Sequence, residues 1–167
     1  MICVNLFGGA GIGKSTLAAE IFSELKKRGY NTELVGEYAK DVVYQESTHL
    51  LDNQLWIFAN QAFRLRNLAE YGVQIAVCDS PLLLSIAYQR VRNETKSFSS
   101  LVREEFEKYQ NFNYLLIRDD NYWKKGGRVG NLTRAKIMDS VIESVLSGYD
   151  YKIVLPEMVL KDVMRSI

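Results

Sequence analysis

A glycine-rich stretch near the amino end constrains the fold more than any other part of the sequence. It matches the pattern G-x-x-x-x-G-K-[ST] at every fixed place. Its residues are Gly8, Gly9, Ala10, Gly11, Ile12, Gly13, Lys14, Ser15 and Thr16. An apolar run typical of a buried parallel strand precedes it, and apolar residues at helical spacing follow it. The stretch therefore predicts a strand, a phosphate-binding loop and a helix, in that order.

The residue types in this loop suit a nucleotide triphosphate. Glycines allow positive φ angles, so that successive backbone N–H groups can turn towards phosphate oxygens. The following helix adds the positive end of its dipole. We expect Lys14 to reach the β- and γ-phosphates and the Ser15 hydroxyl to bind Mg²⁺. The predicted cofactors are therefore ATP (or GTP) and Mg²⁺.

The rest of the chain alternates between strand and helix patterns. Strands are predicted at 2–7, 32–36, 73–79, 114–118 and 151–155. Helices are predicted at 16–28, 38–43, 50–71, 82–92, 98–109, 132–146 and 156–167. Such alternation predicts a parallel sheet covered by helices on both faces. We expect one domain over residues 1–167, with the three-layer α/β fold of phosphate-loop kinases and a five-stranded parallel sheet.

Composition excludes some functions. The 167 residues include 21 basic and 20 acidic ones, for a net charge of +1, so no overall field attracts nucleic acid or a membrane. No apolar run is long enough to span a bilayer, and the amino end enters a strand without a signal peptide. Cys3 and Cys78 fall in predicted strands and read as reduced core residues. His49 stands alone, which argues against a histidine metal site or triad. We expect a cytoplasmic protein.

Two carboxylates follow predicted strands. Ligands of parallel α/β sheets bind beyond the carboxyl ends of the strands, where Glu37 and Asp79 stand. We expect Asp79 on the magnesium side, largely through water, although it also suits a helix cap before Pro81. Glu37 is the candidate general base, although it also suits the positive end of the next helix. Asp41 is a weaker substitute for Glu37.

A polar, glycine-rich segment at 119–131 reads as a lid. Its three glycines give hinge freedom, and its cations are suited to close over a transferring phosphate. Lys124 and Arg128 are the predicted lid cations, with Arg128 also catalytic, and Arg134 reaches in from the next helix. A solvated basic loop has a similar composition.

The candidate acceptor-binding residues are polar or aromatic. Tyr122 and Trp123 are suited to stack on a base or on an aromatic ring, although aromatic residues beside a loop are as often simply packed. Tyr38 follows Glu37, and Gln61 and Arg64 lie one turn apart on the long predicted helix. We expect these five side chains to contact the acceptor.

Four stretches together resemble a known family. They are the phosphate loop, the run Glu37-Tyr38-Ala39-Lys40-Asp41-Val42, the run Ile75-Ala76-Val77-Cys78-Asp79-Ser80, and the run Tyr122-Trp123-Lys124-Lys125-Gly126-Gly127-Arg128. In order and spacing they resemble the kinase domain of NadR-type nicotinamide riboside kinases and related small phosphate-loop proteins of the AAA-like grouping. The resemblance implies a nucleoside-kinase-type fold, with the Asp79 strand beside the phosphate-loop strand. It also implies transfer of the ATP γ-phosphate to a small hydroxyl acceptor such as a ribosyl 5′-OH.

Two departures from that family affect the expected acceptor. Pro81 stands where the family often has a second acidic residue, which weakens the case for nicotinamide riboside itself. The adenylyltransferase domain of the bifunctional NadR enzymes is not in this sequence.

Several functions fit the motifs. The leading hypothesis is a kinase acting on a nucleoside, nicotinamide riboside or a nucleotide. A nucleoside monophosphate kinase needs more arginines for the acceptor phosphate, and the candidates are Arg64, Arg66, Arg90 and Arg92. A polynucleotide 5′ kinase needs a basic channel that the net charge disfavours. The alternative class is an ATPase or switch module without an acceptor. The expected partners are a nucleotide and a small-molecule acceptor, neither nucleic acid nor a membrane, and a homo-oligomer stays open.

Overall fold

Strands and helices alternate along residues 1–90, 95–119 and 131–167, which are the residues described in this computed structural model. The strands are β1 (Ile2–Phe7), β2 (Thr32–Val35), β3 (Ile75–Cys78), β4 (Gln110–Leu116) and β5 (Lys152–Val154). The helices are α1 (Lys14–Lys27), α2 (Tyr38–Tyr44), α3 (Gln54–Glu70), α4 (Leu84–Arg90), α5 (Lys96–Phe106), α6 (Leu132–Leu146) and α7 (Pro156–Ser166). A short 3-10 helix covers Thr48–Asp52, between α2 and α3.

The strands form one parallel sheet in the order β2-β3-β1-β4-β5. The strand β1 is central, and its first residue, Ile2, lies opposite Ile75 of β3 and Gln110 of β4. This arrangement confirms the predicted five-stranded parallel sheet and the predicted pairing of β1 with β3. The loop that follows β1 therefore leaves the middle of the sheet, between the tips of β3 and β4.

Alternation along β1 divides the core between the two faces of the sheet. Cys3 and Phe7 pack in a cluster with the buried sides of α3, α4, α5 and α6. Val4 and Leu6 pack in a second cluster with α1 and α7. Because successive side chains of a strand point to opposite faces, an apolar strand needs helices on both sides. The predicted three layers are thus confirmed.

The two cysteines lie in neighbouring strands of this core. Cys3 of β1 and Cys78 of β3 are both buried free thiols, as their apolar surroundings in the sequence predicted.

Among the described residues, no helix is both long and apolar enough to cross a bilayer.

Two predicted boundaries were wrong for identifiable reasons. The helix predicted at 50–71 is divided, because Asn53 caps α3 by accepting a hydrogen bond from the N–H of Trp56 at 3.0 Å. The strand β4 begins earlier than its apolar run. Its polar residues Asn111 and Asn113 each accept a hydrogen bond, at 2.9 Å, from Asn5 Nδ2 of the neighbouring strand. Hydrogen bonding inside the sheet thus lets asparagines continue a buried strand.

Candidate nucleotide-binding and phosphoryl-transfer site

The glycine-rich loop joins β1 to α1 as the motif predicted. Gly13 is the residue before α1 and has φ of 98°, a left-handed conformation that a residue with a side chain rarely adopts. The first helical residue is Lys14, so that the motif's lysine and serine lie in the first turn of α1. The positive end of this helix therefore faces the concave side of the loop.

The Lys14 side chain folds back over the loop. Its Nζ donates hydrogen bonds to the carbonyl oxygens of Gly8 at 2.6 Å and of Gly9 at 3.1 Å. Burial lowers the pKa of Lys14 below its ordinary value, while the carboxylates of Glu37 and Asp79 oppose that shift. The lysine is thus buried against backbone oxygens and close to both predicted acids.

Asp79 reaches the phosphate loop from the tip of β3. Its N–H donates to the carbonyl of Val35 at 3.1 Å, and its Oδ2 accepts a hydrogen bond from Ser15 Oγ at 2.6 Å. Asp79 is 4% exposed, yet its Oδ1 has no hydrogen-bond partner within the described part of the chain. The helix α4 begins only at Leu84, which argues against Asp79 as a helix cap. A buried oxygen without a partner is costly and is typical of a site that takes a ligand.

The donors at this point fit Mg²⁺. A hydroxyl from Ser15 and a carboxylate from Asp79 are hard oxygen ligands, which this ion prefers, and the unpartnered Oδ1 gives it a free lone pair. Among the described residues, no group of three His, Cys, Asp or Glu side chains is placed to hold a metal. The residues therefore fit an ion whose other ligands are water and phosphate oxygens.

Glu37 lies at the start of α2, close to the same groups. It is the residue before the helix, but its side chain makes no capping hydrogen bond. Its carboxylate is 25% exposed, and its Oε2 lies 3.6 Å from Lys40 Nζ. The side chain of Glu37 thus makes no capping hydrogen bond, while its position before Tyr38 keeps the predicted contact of its charge with the positive end of α2.

Lys40 is a residue of this site that sequence reasoning missed. Its Nζ lies 2.5 Å from Ser15 Oγ and 3.1 Å from Asp79 Oδ2, in addition to its contact with Glu37. Burial lowers the pKa of Lys40, but the carboxylates of Asp79 and Glu37 outweigh it and raise the pKa above its ordinary value. Lys40 is part of the Glu-Tyr run quoted above, and its position three residues after Glu37 on a helix was the available signal.

Gln61 joins the tips of β2 and β3. Its Nε2 donates to the carbonyls of Gly36 and Ser80, both at 3.1 Å, and its Oε1 accepts from the N–H of Tyr38 at 3.3 Å. The residue is only 3% exposed. This geometry favours a positioning role, and its predicted contact with an acceptor stays a prediction.

Arg64 lies one turn further along α3, beside Tyr38. Its Nη2 lies 2.5 Å from Asp41 Oδ2, and its guanidinium carbon lies 5.1 Å from the centre of the Tyr38 ring. Asp41 is therefore paired with a cation away from the phosphate loop, which favours Glu37 over Asp41 as the base. The predicted acceptor contacts of Arg64 and Tyr38 stay predictions.

The other side of the loop is tied to α6. Asp139 Oδ1 accepts the N–H of Gly9 at 2.5 Å, and Arg118 binds both oxygens of Asp139, from Nε at 2.6 Å and from Nη2 at 3.1 Å. Arg118 also donates to the carbonyl of Ala10 at 2.9 Å. A side chain at Gly9 would place its Cβ 2.7 Å from the carbonyl oxygen of Ala135. Gly9 is thus required by the close approach of α6.

These contacts were only partly accessible to sequence reasoning. Arg118 comes two residues after β4, at the edge where functional residues are expected, but the sequence does not show its partner. Asp139 lies in the middle of α6 and carries no motif.

A cavity of about 680 Å³ lies at the amino end of α3. His49, Gln54 and Phe98 are among the residues that line it, and none of the predicted site residues within the described ranges does. Gln54 and Gln61 are seven residues apart on α3, which is roughly 10 Å along a helix. The helix α3 therefore connects this cavity to the tips of β2 and β3.

A protein-family model described as an AAA domain matches residues 3–157. The chain belongs to this AAA domain family. The probable thymidylate kinase of Sulfurisphaera tokodaii (strain DSM 16993 / JCM 10545 / NBRC 100140 / 7) is 29% identical to it over 114 residues, a match covering 63% of this chain and 58% of that protein. The chain thus matches little more than half the length of this curated relative.

Solved structures resemble this AAA domain over nearly its full length. The structure of deoxyadenosine kinase from M. mycoides with bound dATP matches with a TM-score of 0.59 at 17% identity, covering 99% of this chain and 98% of that one. The same enzyme with bound dCTP matches with a TM-score of 0.57 at 15% identity, covering 98% and 97%. At such low identity the likeness shows a shared fold.

The remaining predicted residues of the AAA domain belong to its proposed lid. Tyr122, Trp123, Lys124 and Arg128 lie outside the described residues. Arg134 is exposed in the first turn of α6, where its backbone N–H donates to the capping side chain of Asn131 at 2.9 Å. Asn131 thus caps α6, and the lid role of Arg134 stays a prediction.

Proposed function

We propose that this AAA domain is a kinase that transfers the γ-phosphate of ATP or GTP to a hydroxyl of a nucleoside-type acceptor. The observation that carries this proposal is the convergence of Ser15, Asp79 and Glu37 beside the glycine-rich loop. The curated relative is named a probable thymidylate kinase and the matching structures are of a deoxyadenosine kinase, which supports the broader class of nucleoside and nucleotide kinases.

The loop and the first turn of α1 hold the triphosphate in this proposal. Backbone N–H groups of residues 8–16 surround the phosphates, except that of Gly9, which donates to Asp139. The Lys14 ammonium leaves its carbonyl partners for the β- and γ-phosphates. Ser15 and Asp79 hold Mg²⁺, which supplies charge neutralisation at the phosphates when bound. The reaction then depends on positioning and on electrostatic stabilisation.

Glu37 accepts the proton of the acceptor hydroxyl as the oxygen attacks the γ-phosphorus. The bond from the γ-phosphorus to the bridging oxygen of the β-phosphate breaks, and that oxygen leaves with ADP or GDP. Support comes from its position at the tip of β2, its partial exposure and its freedom from capping. Asp41, the alternative base, is already paired with Arg64. A carboxylate within hydrogen-bond reach of the hydroxyl is what general base catalysis requires.

The surroundings of the arginines favour an uncharged nucleoside over a nucleoside monophosphate. Arg64 pairs with Asp41, Arg66 lies 3.2 Å from an oxygen of Glu105, and Arg90 donates to Ser144 Oγ at 3.0 Å. The fourth candidate, Arg92, lies outside the described residues. An acceptor phosphate would have to displace these partners. A ribosyl or deoxyribosyl hydroxyl makes no such demand, and nicotinamide riboside, whose pyridinium ring is a cation, offers the same ribosyl hydroxyl.

A single domain, a lid and two stacking aromatic residues complete the proposal. We propose that residues 1–167 act as one domain and that residues 119–131 close over the phosphates, with Arg128 and Lys124 as lid cations and Arg134 beside them. Tyr122 and Trp123 stack on the acceptor or on the base of the nucleotide. These roles rest on the sequence pattern.

An acceptor panel tests the function directly. Purified protein with ATP or GTP and Mg²⁺ is assayed alone, and with nucleosides, nicotinamide riboside, nucleoside monophosphates and a 5′-hydroxyl oligonucleotide. We expect about a hundredfold stimulation or more by a nucleoside-type acceptor. Equal turnover with every acceptor would indicate an ATPase or switch module instead, and stimulation only by monophosphates or by the oligonucleotide would overturn the acceptor class.

A matched pair of variants tests the base. Glu37→Gln is expected to lower kcat by about 10²–10⁴-fold while nucleotide affinity stays the same. Glu33→Gln removes an exposed carboxylate of β2 that pairs with Lys26 at 3.0 Å, and it is expected to act like wild type. An unchanged kcat in Glu37→Gln would remove Glu37 from the mechanism.

A further inference from the structure

Lys40 places a positive charge among groups that otherwise suit a metal ion. Its Nζ is 2.5 Å from Ser15 Oγ and 3.1 Å from Asp79 Oδ2, which belong to the two side chains that fit Mg²⁺, and 3.6 Å from Glu37 Oε2. These partners come from α1, β3 and the start of α2. One ammonium group therefore joins three parts of the site.

The first turn of α2 aims Lys40 at this position. The N–H of Lys40 donates to the carbonyl of Glu37 at 3.1 Å, and the spacing of three residues puts both side chains on one face of the helix. The Lys40 side chain is nevertheless 42% exposed, so its ammonium can leave without opening the core. The partner it would leave behind, the Asp79 side chain, is only 6% exposed.

We propose that Lys40 is an internal cation that holds the metal position while no nucleotide is bound and that the incoming metal ion displaces it. The Ser15 hydroxyl and the Asp79 carboxylate cannot be ligands of a metal ion and partners of the ammonium at the same oxygens. An ammonium and a divalent cation also repel each other at such short range. Metal binding and departure of Lys40 are therefore one coupled exchange.

This exchange has a thermodynamic consequence in the nucleotide-free protein. The ammonium neutralises Asp79 and so competes with any divalent cation for it. Removing the charge of Lys40 leaves the nearly buried carboxylate without the ammonium that contacts it directly, so that Lys14 is left to oppose its charge, and this raises its affinity for a metal ion. Removing a lysine charge elsewhere on the surface has no such effect on the affinity for a metal ion, because exposed charges are screened by water and salt.

The experiment measures Mn²⁺ binding to the nucleotide-free protein by the EPR signal of the free ion. Lys40→Met is expected to bind Mn²⁺ about tenfold more tightly than wild type, and Lys40→Arg to stay near wild type. Lys26→Met is the matched control, because Lys26 is also 42% exposed and also pairs with a glutamate. Its Mn²⁺ affinity is expected to equal that of wild type.

A second variant locates the effect. Adding Asp79→Asn to Lys40→Met is expected to remove the gain in Mn²⁺ affinity, whereas Asp41→Asn is expected to preserve it. Equal Mn²⁺ affinity in wild type and Lys40→Met, or a gain that survives Asp79→Asn, would overturn the proposal. The inference rests on the proposed metal position but not on transfer, so a failed acceptor panel and a failed Mn²⁺ titration are distinguishable.

Discussion

Two carboxylates border the phosphate loop, and their environments differ. Asp139 has both oxygens occupied, by the guanidinium of Arg118 and the N–H of Gly9. Asp79 is more buried, at 6% side-chain exposure against 24%, yet its Oδ1 lacks a partner among the described residues. Buried polar groups are normally satisfied, so the exception marks the side of the loop that is kept for a ligand.

The counter-ions of the two carboxylates also differ in how exposed they are. On the Asp139 side the loop backbone is tied to α6 by a guanidinium that is 8% exposed. On the Asp79 side the counter-ion is Lys40, whose side chain is 42% exposed and free to move. One side holds the loop in shape, and the other is the side on which we propose that a metal ion replaces Lys40. We call the Asp139 side of the loop, which Arg118 ties to α6, the frame side. We call the Asp79 side, where we propose the exchange of cations, the ligand side.

The largest expected effect is on the ligand side. Asp79→Asn is expected to lower the rate of phosphoryl transfer by about 10²–10³-fold, in the range found when one electrostatic group of an active site is removed. The amide oxygen can still accept from Ser15, so the melting temperature should change little. Enzyme kinetics and thermal unfolding check both parts, and a normal rate would show that Asp79 is as structural as Asp139.

The next largest effect is expected on the frame side, where the substitution lowers stability instead of the rate of phosphoryl transfer. Asp139→Asn is expected to cost about 1.5–3 kcal/mol in the free energy of unfolding, because hydrogen bonds between charged groups are lost. Urea denaturation measures this, and a double-mutant cycle with Arg118→Met isolates the pair. A loss of transfer at unchanged stability would instead make Asp139 a ligand-binding residue.

A smaller effect tests the close contact of α6 with the loop. Gly9→Ala is expected to destabilise the protein by about 1–3 kcal/mol, since its Cβ would lie 2.7 Å from the Ala135 carbonyl oxygen. The control is Gly148→Ala, whose Cβ meets nothing within 4 Å and which is expected to stay within about 0.5 kcal/mol of wild type. Equal stability of the two variants would mean that the loop and α6 can move apart at little cost in the free energy of unfolding.

The smallest effect comes from a carboxylate remote from the loop. Hydrogen bonding to Lys152 and then to Tyr114 holds the pKa of Asp162 below its ordinary value. A depressed pKa contributes stability above the unfolded pKa and loses it as pH falls through the folded one. Asp162→Asn is therefore expected to lower stability by less than about 1 kcal/mol at pH 7.

Thermal unfolding as a function of pH checks the Asp162 prediction. The difference between wild type and Asp162→Asn should shrink below about pH 4, near the ordinary pKa of an aspartate. A difference that stays constant with pH would show that packing, and not charge, carries the contribution of Asp162.

Local patterns in the sequence determined most of the fold and part of the candidate site. The alternation of apolar strands and amphipathic helices predicted the five-stranded sheet, because periodicity reports which face of an element is buried. The glycine motif predicted the loop, and the rule that ligands bind at the carboxyl ends of strands pointed to Glu37 and Asp79. The misjudged boundaries fell at Asn53 and Asn111, where a polar side chain finds its partner by capping or by pairing across strands.

Tertiary structure decided how those residues are used. Ser15 meets Asp79 across 64 positions of sequence and Lys40 across 25, and Gly9 meets Asp139 across 130. No periodicity encodes such contacts, since they depend on strand order and on the angle at which each helix packs. The sequence determined which groups stand at the tips of the strands, and only the folded chain decided that Asp139 is satisfied, Gln61 is enclosed and Lys40 contacts Ser15 and Asp79.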